Sequence, residues 1–372
     1  MGFHIVKRDD CPFWKKVCLY VGAVLLAVLL GAVLLLSLGV DPIAYYTRMF
    51  TMGTIGNKIA YKTYINYLKD FVPLALTSVA LSLAFKMRFW NIGGEGQFIM
   101  GSLAASAVAI LLGESLPAVG VLVLMCLAAM ITAGLYGLVV AALKVRFGTN
   151  ETLLTLMFNY IALYLLRFLM ETKAPWNFFL NPDELRPVPQ SHPKAAIFPS
   201  IPMGGKFQLN ICVVLTVLIS ILIYIYLRYT KHGYEIAVVG DSAETARYAG
   251  MKVKRIVLRT VFLSACLIGL AAAFKVGTTG TMSGAITDDV GWTGIIVAWL
   301  AQLNTIGIFI VSALICVLHY GSTVAAATFS QVDSSFANML QGAILFLVLA
   351  ADFYTRFRIV PVKKGDKNNA NG

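Results

Sequence analysis

Val17-Cys-Leu-Tyr-Val-Gly-Ala-Val-Leu-Leu-Ala-Val-Leu-Leu-Gly-Ala-Val-Leu-Leu-Leu-Ser-Leu-Gly-Val40 decides the class of this fold. These 24 residues carry no charge, and roughly 20 apolar residues suffice for a helix to cross the hydrocarbon core of a bilayer. Lys7, Arg8, Lys15 and Lys16 precede the run. A secretory signal has a shorter apolar core, about 7–15 residues, followed by a small-residue cleavage site. This run is longer and no such site follows, so it reads as an uncleaved first span. Further apolar runs recur through the 372-residue chain, which is 59% hydrophobic and 13% charged. Soluble domains carry roughly 45–50% apolar and 25% charged residues. The fold class is therefore an all-α polytopic membrane protein.

Ten spans are expected, at residues 17–40, 71–87, 95–113, 116–143, 149–170, 209–228, 256–276, 290–303, 305–320 and 335–355. Residues 1–16 form an N-terminal segment, 17–355 the transmembrane domain and 356–372 a C-terminal tail. The net charge of +12 lies between the apolar runs, where Lys and Arg fix topology. It is not gathered on a face that could meet a nucleic acid, and no nucleic-acid partner is expected. Alternating the spans from a cytoplasmic N-terminus places 20 of the 30 Lys and Arg residues inside. That bias argues for a multi-pass protein of the cell (plasma) membrane with both termini cytoplasmic. The exception is 41–70, whose Arg48, Lys58, Lys62 and Lys69 face outward. It opens with Asp41-Pro42, an N-cap followed by Pro at N1, and its tyrosines suit a helix at the headgroup level. Residues 171–208 hold seven of the 12 prolines, too many for a span, and read as an ordered external cap.

Residues that could carry catalysis or bind a metal are scattered. Cys11, Cys18, Cys126, Cys212, Cys266 and Cys316 lack metal-ligand spacing, and His4, His192, His232 and His319 stand apart. No metal site is expected. Nor is there a Ser-His, HExxH or paired-carboxylate constellation, so the chain does not read as an enzyme. Gly93-Gly-Glu-Gly96 lacks the preceding strand and the G-x-x-x-x-G-K-[ST] pattern of a nucleotide site.

Between two spans lies the cytoplasmic segment 229–255. Asp241 followed three residues later by Glu244 is a capping-box-like start, the residues through Ala249 can be helical, and Gly250 is a natural stop. The result is a helix of about two turns, too short to be stable alone in water. It must be held by its own membrane domain or by a partner groove. One reading is a plain positively charged loop. The other is a helix that docks into a soluble motor through its small residues and Tyr248.

Gly240, with Ala246-Arg-Tyr-Ala-Gly250-Met251 after it, resembles the coupling helix of permeases from the ribose, branched-chain amino acid and nucleoside group of ATP-binding cassette (ABC) importers. The nucleoside members carry Asn-Pro where this chain has Ser242-Ala243, a departure that weakens the cap and leaves the Ala-Arg-Tyr-Ala-Gly core intact. Asn91-Ile-Gly-Gly-Glu-Gly-Gln-Phe-Ile-Met-Gly-Ser-Leu-Ala-Ala105 is similar to the most recognisable signature of the nucleoside-type members. Phe147-Gly-Thr-Asn-Glu-Thr-Leu-Leu-Thr-Leu-Met-Phe-Asn-Tyr160 is similar to a second. The resemblance covers about residues 75–355. It implies contact with an ABC ATPase subunit for Asp241, Glu244, Arg247, Tyr248, Ala249, Gly250 and Met251. It also implies a second permease subunit, the same or related, and an extracytoplasmic substrate-binding lipoprotein. ATP and Mg would be used by the partner ATPase, with no cofactor in this chain. The implied function is nucleoside import by alternating access, with a ribose-type simple sugar as the alternative. An ion-coupled secondary transporter is the rival of another class, with Glu95, Glu151 or Asp333 as its membrane carboxylate.

The same signatures can be read by their chemistry. The three glycines of 93–96 permit close packing or an unwound segment, and Glu95 among them is costly unless paired or wet. Glu151, Thr155 and Asn159 recur every four residues on one helix face. Such a stripe either lines a solvated path or hydrogen-bonds to neighbouring helices. With Asn91, Gln97, Trp292 and Gln302 these residues are the candidates for a solute pathway, since aromatic planes stack a base while amides and carboxylates bind ribose hydroxyls. For the second-half residues, interfacial anchoring and loop capping are the alternatives. A short repeat aligns Gly94 through Leu103-Ala104 with Gly291 through Leu300-Ala301 at an offset of 197, which suits two structural repeats in one chain.

Overall fold

A computed structural model describes residues 3–7, 12–55, 59–204, 206–333 and 335–361. Arg8, Cys11, Lys58 and the tail beyond 361, with Lys363, Lys364 and Lys367, lie outside them. The elements follow the order β1 (Phe3–Lys7), α1 (Phe13–Ser37), α2 (Pro42–Phe50), α3 (Ala60–Lys86), α4 (Gly94–Leu112), α5 (Ala118–Phe147) and α6 (Glu151–Glu171). Then come β2 (Ser200–Gly204), β3 (Phe207–Asn210), α7 (Ile211–Tyr229), α8 (Lys231–Asp241), α9 (Ala243–Tyr248) and α10 (Val253–Thr279). The chain closes with α11 (Val290–Leu300), α12 (Thr305–Ala326), α13 (Phe336–Arg356) and β4 (Phe357–Pro361).

Among the described residues, nine helices are long and apolar enough to cross a membrane, where about ten spans were expected. The difference lies at 290–303. There α11 has 11 residues, about 16 Å at the helical rise of 1.5 Å. It begins at residue 290 as expected, after Asp288 and Asp289 with left-handed φ of 46° and 53°, and stops at Leu300, ahead of Gln302 and Leu303 with left-handed φ of 51° and 57°. Residue 41–70 also departs from expectation. The helix opened by Asp41 ends at Phe50, and residues 60–70 are the front of α3, a 27-residue helix.

The chain forms two compact units, residues 1–56 with 317–372 and residues 57–316. In the first, α1 packs along α13, and β1 pairs antiparallel with β4. Tyr20 donates its hydroxyl proton to Asp352 Oδ1 at 2.8 Å. Asp41 accepts from the Ile43 N–H at 3.0 Å, capping α2. Tyr45 is fully buried, its hydroxyl 2.9 Å from Ser322 Oγ and its ring 5.1 Å from that of Phe336.

In the second unit α3 and α10 run antiparallel through the centre. Ser264 Oγ donates to the Ala80 carbonyl at 2.6 Å, and Lys275 Nζ to Asp70 Oδ1 at 2.6 Å. Around them stand α4, α5 and α6, which bury a core about Ile99, Met125, Leu166 and Val276. The Pro-rich segment after α6 is ordered over the adjoining helix ends. Asn177 Nδ2 donates to the Leu169 and Thr172 carbonyls at 2.6 and 2.8 Å, and the Phe198 N–H to Gly277 at 3.0 Å. His192 lies 2.9 Å from Ser106 Oγ, and burial pushes its imidazole down to about 4, which keeps it neutral. The helices α3 and α10 occupy matching places in the 197-residue repeat yet run in opposite directions, the mark of inverted-topology repeats.

Candidate functional site

The helices α8 and α9 make an elbow at the end of the second unit that also carries Lys86 and the C-terminus of α5. Thr230 caps α8, its Oγ1 accepting from the Gly233 N–H at 3.2 Å. Ile236 and Val239 then bury against Ala84, Phe89, Val140 and Ile256. Arg259 on α10 donates to Glu235 Oε2 at 2.8 Å and holds that carboxyl below the usual carboxylate range. The expected Asp241 cap is corrected here. Asp241 is still helical as the last residue of α8, and Ser242, extended at φ −155°, ends α8 and caps α9 by accepting from the Thr245 N–H at 3.2 Å. At the other end Gly250 takes φ +75°. The Met251 N–H donates to Ala246 at 3.0 Å and the Gly250 N–H to Arg247 at 2.9 Å. These two bonds are a Schellman stop. Ala246 is fully buried with Met251 packed against its cluster, whereas Tyr248 is 94% exposed. Glu244, Arg247 and Ala249 are exposed as well.

A second constellation joins the two repeats. Glu95, 6% exposed, accepts from the Gly291 N–H at 2.8 Å and also hydrogen-bonds the Thr287 side chain and the Trp292 backbone. A carboxylate thus sits at the first turn of the half-helix α11, where unpaired N–H groups and the helix dipole favour negative charge. Asn91 and Gln97 exchange side-chain amide bonds at 3.2 and 3.1 Å. Asn159 accepts from the Gly96 N–H at 2.8 Å and donates to the Ile92 carbonyl at 2.9 Å. Thr155 Oγ1 accepts from the Ile92 N–H at 3.3 Å. The structure therefore brings together Asn91, Glu95, Gln97, Thr155 and Asn159 and gives each a backbone or amide partner. Glu151 stands apart at the end of α6, paired with Lys144 at 2.6 Å. Trp292 is 38% exposed, and Gln302 lies by Lys86 and Arg228 at the helix ends.

A family model described as branched-chain amino acid transport system / permease component matches residues 63–349. The chain belongs to that family. This permease is 27% identical over 358 residues to a glucose ABC transporter permease of Haloferax volcanii, covering 95% of this chain and 92% of that one. It is 27% identical over 351 residues to a guanosine ABC transporter permease of Bacillus subtilis, covering 93% and 96%. A nucleoside ABC transporter permease of Lactococcus lactis subsp. cremoris is 25% identical over 340 residues, covering 90% and 91%.

Three features of the permease escaped the sequence. The helix α8 lay inside what read as a loop, although Thr230 before it is a good cap residue. The indoles of Trp90 and Trp299 stack at 5.2 Å and 14°, joining the turn before α4 to the end of α11. The ion pair Lys275–Asp70 ties α10 to α3. The last two unite residues far apart in the chain, and no local signal announces such a contact.

Proposed function

We propose that this permease is the membrane-spanning subunit of an ABC importer for nucleosides, moved between inward- and outward-facing states by a separate ATPase. One observation carries the reading: α9 is capped at both ends, fixed by buried Ala246, and offers Tyr248 at 94% exposure to something outside the chain. An aromatic side chain left bare on an anchored helix is a natural anchor for a partner's groove. ATP and Mg act in that partner, α9 follows its closure, and the elbow passes the displacement to α3, α5 and α10. Work then reaches α11, held to the other repeat by Glu95. The solute path follows this discontinuous span. Asn91, Gln97, Thr155 and Asn159 frame it, and Trp292 with Gln302 reach its open side. A second permease subunit supplies the facing wall, and a substrate-binding lipoprotein delivers solute at the Pro-rich end.

Two of the named relatives carry guanosine or nucleosides by their descriptions, and the 91–105 signature favours the same class. The Haloferax relative supports a second reading, a simple sugar. The test is uptake of labelled nucleoside and of labelled sugar by proteoliposomes holding the permease, its ATPase and its binding protein. Arg247→Glu and Tyr248→Ala each abolish ATP-driven uptake while the protein remains folded in the membrane. Normal uptake by both variants removes the docking role, and gradient-driven uptake by the permease alone replaces the importer with a secondary transporter.

A further inference from the structure

Behind α9 lies a cavity of about 580 Å³ whose wall carries Arg88, Lys144, Arg247 and Lys254, with Asp241 as its carboxylate. Lys144 is neutralised by Glu151 at 2.6 Å and rests 5.1 Å from the Phe89 ring. Arg88, Arg247 and Lys254 have no ion-pair partner among the described residues. Positive charge is therefore in excess even after Asp241 and Glu151 are counted. Arg88 also holds a left-handed backbone, φ 56°. A non-glycine residue there is strained, and strain of this kind concentrates at functional positions. Apart from Ser242 and two glycines the rest of the wall is apolar, with Val145, Val253 and Val257 among its residues. Tyr248 does not line it.

We propose that this cavity binds the headgroup of an anionic phospholipid. Cations beside apolar side chains, at the ends of membrane-spanning helices, match an amphiphile: the phosphate meets Arg88 and Lys254, and the first acyl carbons lie along Val145 and Val257. Basic pockets between membrane helices recognise anionic headgroups in this way. An acidic protein segment would satisfy the cations and leave the apolar wall uncovered. Because Arg247 and Asp241 belong both to the cavity and to the elbow, a bound lipid stiffens the elbow from the membrane side. The inference holds whichever solute is carried.

The test uses the full chain with its ATPase, purified in mild detergent and exposed to mixtures of phosphatidylglycerol and phosphatidylcholine. Retained lipid is counted by native mass spectrometry. Each cation beside an anionic headgroup is worth about fivefold in affinity, so Arg88→Gln with Lys254→Gln lowers the preference for phosphatidylglycerol about 25-fold. Lys62→Gln with Lys206→Gln leaves it unchanged. Should the double variant fail to fold, Lys254→Gln alone, at an exposed position, lowers the preference about fivefold. Equal retention of the two lipids by the wild type, or an undiminished preference in the variants, overturns the proposal. Displacement of the lipid by inorganic phosphate assigns the cavity to a free anion and overturns it. So does loss of the ATPase from the variant complex with lipid retention intact, which assigns the cavity to an acidic segment of the partner.

Discussion

At Gly291 the backbone of α11 lies so close to α4 that an added Cβ would strike the Glu95 nitrogen, while the Gly291 N–H donates to Glu95 Oε2 at 2.8 Å. The ideal Cβ of Gly94, its mate in the 197-residue repeat, lies 3.7 Å from the Gly291 Cα. The two glycines at matching places in the repeat therefore pack against each other. Gly291→Ala is expected to cost about 1–3 kcal/mol, the usual penalty of overpacking. Gly284→Ala, where a Cβ meets nothing within 4 Å, stays within about 0.5 kcal/mol of the parent. Thermal denaturation in detergent compares them, and equal losses would show that the contact yields. That Glu95 needed a partner was legible in its setting among glycines inside an apolar run. Its partner was not, because Gly291 stands 196 residues away and a backbone N–H leaves no trace in residue identity.

Under the proposed function α9 is the element that meets the partner, and its caps set how firmly it is held. Ser242→Ala removes the bond to the Thr245 N–H and costs about 1 kcal/mol. Gly250→Ala forces a β-carbon into a left-handed residue at a cost of about 1 kcal/mol. Each change opens the helix locally and raises hydrogen exchange at residues 243–251 by about fivefold, with the melting temperature of the protein unchanged. A global melting shift without faster local exchange would mean that α9 opens only with the whole unit. The stop at Gly250 was legible, since glycine after a short helix has a specific backbone use. The start was displaced by one residue because Asp241 and Ser242 are both good caps, and burial of Val239 decided between them by extending α8 through Asp241. The early stop of α11 was hidden for a different reason. A half-helix and a full span share the same apolar composition, and the left-handed pairs Asp288-Asp289 and Gln302-Leu303 that flank α11 leave no mark in it.

For the whole molecule, the inverted repeat puts the elbow and the Pro-rich cap at opposite ends of the second unit. The orientation proposed from charge bias has the elbow in the cytoplasm. Leu185, 98% exposed in the cap, and Tyr248 at 94% offer two reporters. In a cysteine-free background, Leu185→Cys reacts with a membrane-impermeant maleimide on intact cells, and Tyr248→Cys reacts after permeabilisation. The reverse pattern would invert the topology and remove the motor from α9. Membrane character was written in bulk composition and runs, which is why it could be read without the structure. The division into units, the antiparallel α3 and α10 and the Lys275–Asp70 pair depend on long-range packing that composition does not encode.

The parallel indoles of Trp90 and Trp299, 5.2 Å apart, lie where the two repeats meet. Chromophores this close share their excited states, so sliding α11 along the 88–93 turn alters the near-ultraviolet dichroism and emission of the pair. The pair is thus an optical gauge at the seam, and the proposed transport stroke, where it shifts α11, would be followed by light without attaching a dye.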